Sequence, residues 1–280
     1  MHRAFVWLAT ILGATLAASS AAAQSSSKDA YPLRVTARPL TLPQYMAEIH
    51  AEAMFNISRG NVFKDVSLTP DVYFGITDDV QVGINHSKTM GVYTGPSTAP
   101  LCIGGNTQCY GGKVYDQIAL DGLFRVLKKD ELQLGIHGIL GGQTLDPFGL
   151  ALRVGAQLRW KPVDVLSLDF DPGLGIGITN RDRSFKAISN GNKEYLYLPM
   201  RANVQVLDAL TVFGDVYLVL PFDRAGDLVR FGTNVGAQYA ITNKIDVGAE
   251  FRLPFLIHGD AYRNTGFDVR QTGVFANFRL

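Results

Sequence analysis

The stretch from Gly149 to Gly177 alternates with a period of two. Leu150, Leu152, Val154, Ala156, Leu158 and Trp160 take every second position, and Ala151, Arg153, Gly155, Gln157, Arg159 and Lys161 take the places between. Pro162, Val163 and Asp164 interrupt the run with turn residues, because Pro fixes φ and Asp bonds to nearby backbone. The alternation then resumes with Leu166, Leu168, Phe170, Leu174 and Ile176 on one face and Ser167, Asp169, Asp171, Gly173 and Gly175 on the other. A period of two is the mark of a strand, since successive side chains point to opposite faces. Each arm runs for about 10 to 12 residues, beyond the usual globular strand of about 5 or 6 and enough for a tilted strand to cross a bilayer. A hairpin with one long apolar face and one face of Arg, Asp, Gln and Gly suits a wall between lipid and water.

The same pattern fills the chain from about Met46 to Leu280. Glu48, His50 and Glu52 share a face opposite Ile49, Ala51 and Ala53, and Asp71 lies opposite Val72 and Phe74. Arg125, Arg201, Asp215, Arg230, Asp246, Glu250 and Arg252 recur on the polar faces of later runs. The runs number about twelve, and an even number is what a closed bacterial barrel requires. Connections near Asp78, Asp130, Pro162, Asp208 and Asn243 are short, and those near Asn61, Cys102, Thr144, Arg183, Asp223 and Tyr262 are equal or longer. Such parity separates the periplasmic turns from the external loops of an outer-membrane barrel. A soluble β-sandwich would instead bury its apolar face. The expected fold is therefore an all-β, antiparallel up-and-down transmembrane barrel.

With Lys+Arg 26 against Asp+Glu 25, the chain lacks the basic excess of nucleic-acid binders. No apolar run reaches the roughly 20 residues of a membrane helix. Residues 1–23 have the basic start, apolar stretch and Ala21-Ala22-Ala23 end of a secretory signal peptide. Arg3 is the only Lys or Arg within it, so its removal leaves a formally neutral chain. Residues 24–45, with Pro32, Pro39 and Pro43, read as an extended periplasmic arm. Whether this arm plugs the lumen or lies at the surface stays open. Residues 46–280 form the barrel.

The chain resembles the Gram-negative outer-membrane β-barrel proteins of the small porin-like type, over about Met46 to Leu280. RPLTLP (Arg38 to Pro43) followed by FGITDDVQVG (Phe74 to Gly83) is similar to the opening of many such barrels. The resemblance implies a terminal strand read by the barrel-assembly machinery. Phe278 fits that signal, although the last residue is Leu280.

Cys102 and Cys109 sit in a glycine-rich segment of a secreted chain, which favours a disulfide between them. Asn85, His86 and Ser87 suggest an outer-membrane lipase, but adjacent His86 and Ser87 point to opposite faces of a strand. His50 between Glu48 and Glu52 is the one metal-like grouping, and a lumen network is the simpler use of it. The expected lumen lining is Glu48, Glu52, Asp71, Arg125, Arg153, Arg159, Lys161, Asp169, Asp171, Arg201, Asp215, Arg230, Glu250 and Arg252. Anions gather on strands near the closure and cations on the opposite wall, with Asp169, Asp171, Arg252 and Arg279 as exceptions. These expectations describe a monomeric outer-membrane channel for small polar solutes, without cofactor, metal, catalytic residue or nucleic-acid partner, surrounded by outer-membrane lipid. The alternatives are a closed-lumen barrel serving adhesion or envelope integrity, and an outer-membrane lipid-modifying enzyme.

Overall fold

The computed structural model describes residues 31–58, 62–63, 65–86, 101–104, 118–145, 148–181, 193–259 and 269–280. The segment expected to be a signal peptide and the proposed disulfide, which needs Cys109 and the Cys102 side chain, lie outside the described residues. The strands are β1 (Ala47–Asn56), β2 (Asp65–Thr77), β3 (Val80–Asn85), β4 (Leu101–Gly104), β5 (Ile118–Lys128), β6 (Leu132–Leu145) and β7 (Phe148–Val163). They continue with β8 (Leu166–Phe170), β9 (Gly173–Gly177), β10 (Tyr195–Gln205), β11 (Leu210–Pro221), β12 (Arg230–Ala240), β13 (Ile245–His258) and β14 (Gln271–Arg279). Every pairing is antiparallel, and β1 pairs with β14 from Glu48↔Arg279 to Asn56↔Gln271, which closes the sheet on itself.

These segments occupy 12 positions in the wall. β3 and β4 lie in line along one side of β2, at Val72–Thr77 and Asp65–Leu68. β8 and β9 likewise form one interrupted strand between β7 and β10. Two details differ from the sequence reading. The run from Leu166 to Ile176 is broken at Asp171-Pro172, because Pro172 has no N–H to donate to a ladder; its carbonyl accepts from Ala156 N at 3.1 Å instead. The long loop after His86 carries the short β4, whose four residues are too few for alternation to reveal.

Burial follows the alternation. Val72, Phe74, Leu120, Ile136, Val154, Val235 and Val274 are exposed on the outside, while Asp71, Asp121, Arg153, Asp215, Asn234 and Gln271 are buried inside. Apolar outside and polar inside is the reverse of a soluble sandwich and is the arrangement hydrocarbon demands. The short ends turn tightly: Thr77 Oγ1 accepts from Asp79 N and Val80 N, and Thr242 Oγ1 accepts from Lys244 N and Ile245 N. Inside, toward the long-loop end, Tyr195, Tyr197, Tyr217, Val219 and Ile139 form an apolar cluster on one side of the wall. The Tyr217 ring lies over Gly232 of the next strand, where a Cβ would collide with it.

Residues 31–45, the described part of the arm, and Met46 after them do not lie on the surface. They fold into the short-turn mouth of the barrel, with a 3-10 turn at Val35–Ala37 and with Tyr31, Thr36, Arg38, Leu42 and Met46 buried.

The face assignment has a direct test. Val235→Arg places a charge on the lipid side and should destabilise the barrel by about 2–4 kcal/mol if near mid-bilayer. Gln157→Arg on the lumen side should cost far less. Urea unfolding in lipid vesicles checks both, and equal costs would contradict the assignment.

Candidate functional site in the lumen

The inner wall carries its charges in pairs between neighbouring strands. Arg159 and Asp169 are cross-strand partners on β7 and β8, and the guanidinium holds the carboxylate at 2.6 and 3.2 Å. Arg201 on β10 grips its register partner Asp215 on β11 at 2.5 and 2.9 Å and lies over the Phe213 ring. Asn234 bridges onward, donating to Asp215 at 2.9 Å and to Glu250 at 2.6 Å. Arg252 joins Glu250 to Glu52, the latter at 3.0 Å. On the other side Arg153 pairs with Asp171, and His137 sits between Asp171 at 2.8 Å and Asp121 at 3.1 Å. Asn85 donates to Asp121 at 3.3 Å and to the Tyr73 hydroxyl at 3.2 Å.

The result is a belt that runs around the circumference rather than struts that cross the lumen. The exceptions to the expected anionic and cationic walls are where the pairing occurs: Asp169 meets Arg159, Asp171 meets Arg153, Arg252 meets Glu52 and Glu250, and Arg279 meets Glu48. Arg153, Arg159 and Arg201 each have a carboxylate beside them, and Glu52 and Glu250 share Arg252. In an antiparallel sheet, directly opposed residues lie about 4.5–5.5 Å apart, so a cation on one strand meets the anion at its register position before it meets the far wall.

Of the remaining expected lining residues, all but Asp71 lie toward the strand ends. Arg125 donates to Asp79 at 2.6 Å and to the Asp78 carbonyl at 2.7 Å, and Lys161 pairs with Asp164 at 3.3 Å, both at the short-turn rim. Asp71 accepts from His86 N at 2.6 Å. Arg230 lies 5.9 Å from the Phe255 ring centroid toward the long loops. Glu48 accepts from Arg279 at 2.6 Å.

His50, considered above as a metal ligand, meets Asn277 through Nδ1 at 2.6 Å and Glu52 through Nε2 at 3.4 Å. Glu48 and Glu52 are turned to Arg279 and Arg252, so the three do not converge on one point. His86, considered beside Ser87, has its ring against the Pro70 carbonyl. Ser87 lies outside the described residues.

Sequence reasoning missed the plug contacts altogether. Arg38 donates through both terminal nitrogens to Asp246, at 2.7 and 2.8 Å, and both residues are buried. Arg279 and Gln238 bind the same carboxylate. The Tyr31 ring lies between the guanidinium groups of Arg38 and Arg279, 5.5 and 5.0 Å from its centroid. Burial, reinforced by Glu48, pushes the Tyr31 hydroxyl above the usual tyrosine range, so the ring stays neutral beside them. The available signal was Arg38 in step with Leu40 and Leu42. His137 was missed as a network member because its partners are on other strands.

Between plug and wall lies a cavity of about 220 Å³ lined by Tyr31, Tyr73, Gln81, Gln238, Asn277, Arg159 and Arg279, among others. A second, about 160 Å³, touches Arg153, Gln157, Asp171, Tyr197 and Arg201. A third concavity, about 830 Å³, borders Ala51, Ala53, Ala237, Ala249 and Ala276 on the apolar outer wall. Glu52 and Gln238 border it as well, but its surface is mostly apolar and suits hydrocarbon.

Charge pairing in the belt predicts a specific pattern of damage. Arg252→Met leaves Glu52 and Glu250 buried without their shared cation and should destabilise by about 3–5 kcal/mol. Adding Glu52→Gln and Glu250→Gln should restore much of that loss in the same unfolding assay. A triple variant no better than the single one would show that charge neutralisation is not the function of Arg252.

No protein-family model and no curated protein sequence matches the chain. Solved structures do match in fold. The NanC porin superposes with a TM-score of 0.58 at 7% identity, covering 83% of this chain and 100% of that one. An outer membrane channel from Pseudomonas putida F1 gives 0.53 at 11% identity, over 86% and 97% of the two chains. The KdgM porin gives 0.51 at 8% identity, over 82% and 98%. This chain therefore has the fold of the small porin-like outer-membrane barrels.

Proposed function

We propose that the protein is a monomeric outer-membrane channel for small polar solutes, inserted by the barrel-assembly machinery, with its short turns in the periplasm. The observation that carries this reading is the polar belt on the inside of a 12-position wall. A barrel of about 8 strands is just wide enough for its own side chains to fill, and diameter grows roughly linearly with strand number. By that relation a 12-position wall encloses more width than about 8 strands do, and the groups that face inward are water-compatible. Likeness to porins in fold supports the same conclusion.

Solute passage would be diffusive, with weak charge discrimination because cations and anions alternate around the belt. Currents through the protein in planar bilayers should therefore reverse near zero potential in a salt gradient. Replacing Asp169, Asp171 and Asp215 by Asn should leave Arg153, Arg159 and Arg201 uncompensated and shift selectivity toward anions. The shift should shrink at high salt, where screening is stronger. A shift toward cations would refute the assignment of these groups to the conducting path.

One observation favours a second reading. Residues 31–46 fill the short-turn mouth, as a closed barrel built for surface display or envelope integrity would allow. Folded protein that carries no current under any condition, with or without that segment in place, would select it.

A further inference from the structure

We infer that residues 31–46 form a displaceable plug, the closing element of the channel, with Arg38 on Asp246 as its latch. This rests on the channel reading above. The segment crosses the mouth and touches the rim at several points around it. Thr41 Oγ1 donates to the Asp78 carbonyl at 2.6 Å, and Thr36 Oγ1 donates to the Asp164 carbonyl at 2.8 Å. Arg34 pairs with Asp208, and Arg38 reaches Asp246 on β13. Those partners belong to four separate short-turn regions, so the segment sits over the opening and not along one side of it.

The way it is held makes it separable from the wall. Pro39 and Pro43 have no N–H, so the segment cannot join the sheet as a strand. Its free amides are met by side chains: Leu40 N donates to Gln133 Oε1 and Leu42 N to Gln81 Oε1, each at 2.9 Å. Arg159 donates to the carbonyls of Arg38 and Pro39 at 2.7 and 3.0 Å. Releasing residues 31–44 therefore breaks side-chain hydrogen bonds, while Tyr45 N on the Gly75 carbonyl at 2.7 Å and Gly75 N on the Met46 carbonyl at 2.9 Å keep the end of the segment tied to β2. The amides and carboxylates it vacates are groups that water or a polar solute satisfies equally well.

The fold also supplies a pivot. Tyr45 has φ 62°, a left-handed conformation unusual for a residue with a side chain. It reverses the chain between plug and β1, with Met46 N closing the turn on the Pro43 carbonyl at 3.1 Å. Gly75 makes this close approach possible, since a Cβ there would collide with the carbonyl oxygens of Pro43 and Leu42.

The test uses the full mature chain in planar bilayers, with folding checked by heat-modifiable gel mobility. Arg38→Gln removes the latch from the plug side, and Gly75→Ala pushes the plug off its seat without touching a charge. Both should raise conductance or open time several-fold over the parent. A synthetic peptide of residues 31–46 added on the short-turn side should reduce the current of the variants, and should do so less from the other side. A parent that conducts as well as both variants, with no effect of the peptide, would overturn the plug and leave the channel standing. Parent and folded variants that are all silent would overturn the channel and the plug together.

Discussion

A backbone N–H or C=O without a partner is costly in hydrocarbon, and no water is there to supply one. That constraint explains why β1 and β14, the two ends of the described barrel, lie side by side. Their ladder runs from Glu48↔Arg279 to Asn56↔Gln271 and removes the two edges the sheet would otherwise expose. The apolar alternation on the outside and the polar alternation on the inside follow from the same closure, since every strand then has one face in lipid and one in the lumen. The side-chain belt depends on it as well. Arg279 reaches both Glu48 and Asp246 because β14 stands between β1 and β13.

Within the closed wall, charge is placed by register. Arg159 meets Asp169 and Arg201 meets Asp215 because each pair holds the same level on adjacent strands. Asp246 has four donors, of which Arg279, Gln238 and Asn277 come from the wall. The fourth, Arg38, comes from the plug. The segment before β1 is thus a continuation of the wall's own charge pairing into the mouth, and its seat is built from residues that also stabilise the barrel.

The strands, their turns and their two faces were legible in the sequence because a period of two acts locally. Leu150 to Trp160 and Arg153 to Lys161 declare opposite faces without reference to any other strand. Partners across strands were not legible, since pairing depends on register. The sequence shows Asp169 and Asp171 among the cations Arg153, Arg159 and Arg201, but only the sheet says which meets which, and it sets Asp215 beside Arg201. His137 reads as isolated within β6 and lies between carboxylates on β5 and at the β8–β9 break. The break itself was signalled by Pro172, whose missing N–H outweighs the alternation around it. The plug was harder still. Its prolines mark an extended segment but do not say where it lies, and only the buried Asp246 shows why Arg38 points inward.

The central claim is that the segment preceding β1 sits inside the barrel, held by the belt of wall residues. Hydrogen–deuterium exchange on the folded protein in lipid reads this directly, because Leu40 N and Leu42 N donate to Gln133 and Gln81 within the lumen. The account predicts that a peptide fragment covering residues 38–46 exchanges far more slowly than a free chain, and that Arg38→Gln accelerates its exchange while the strands stay protected. Exchange of residues 38–46 at the rate of an unstructured peptide in the parent protein would contradict it.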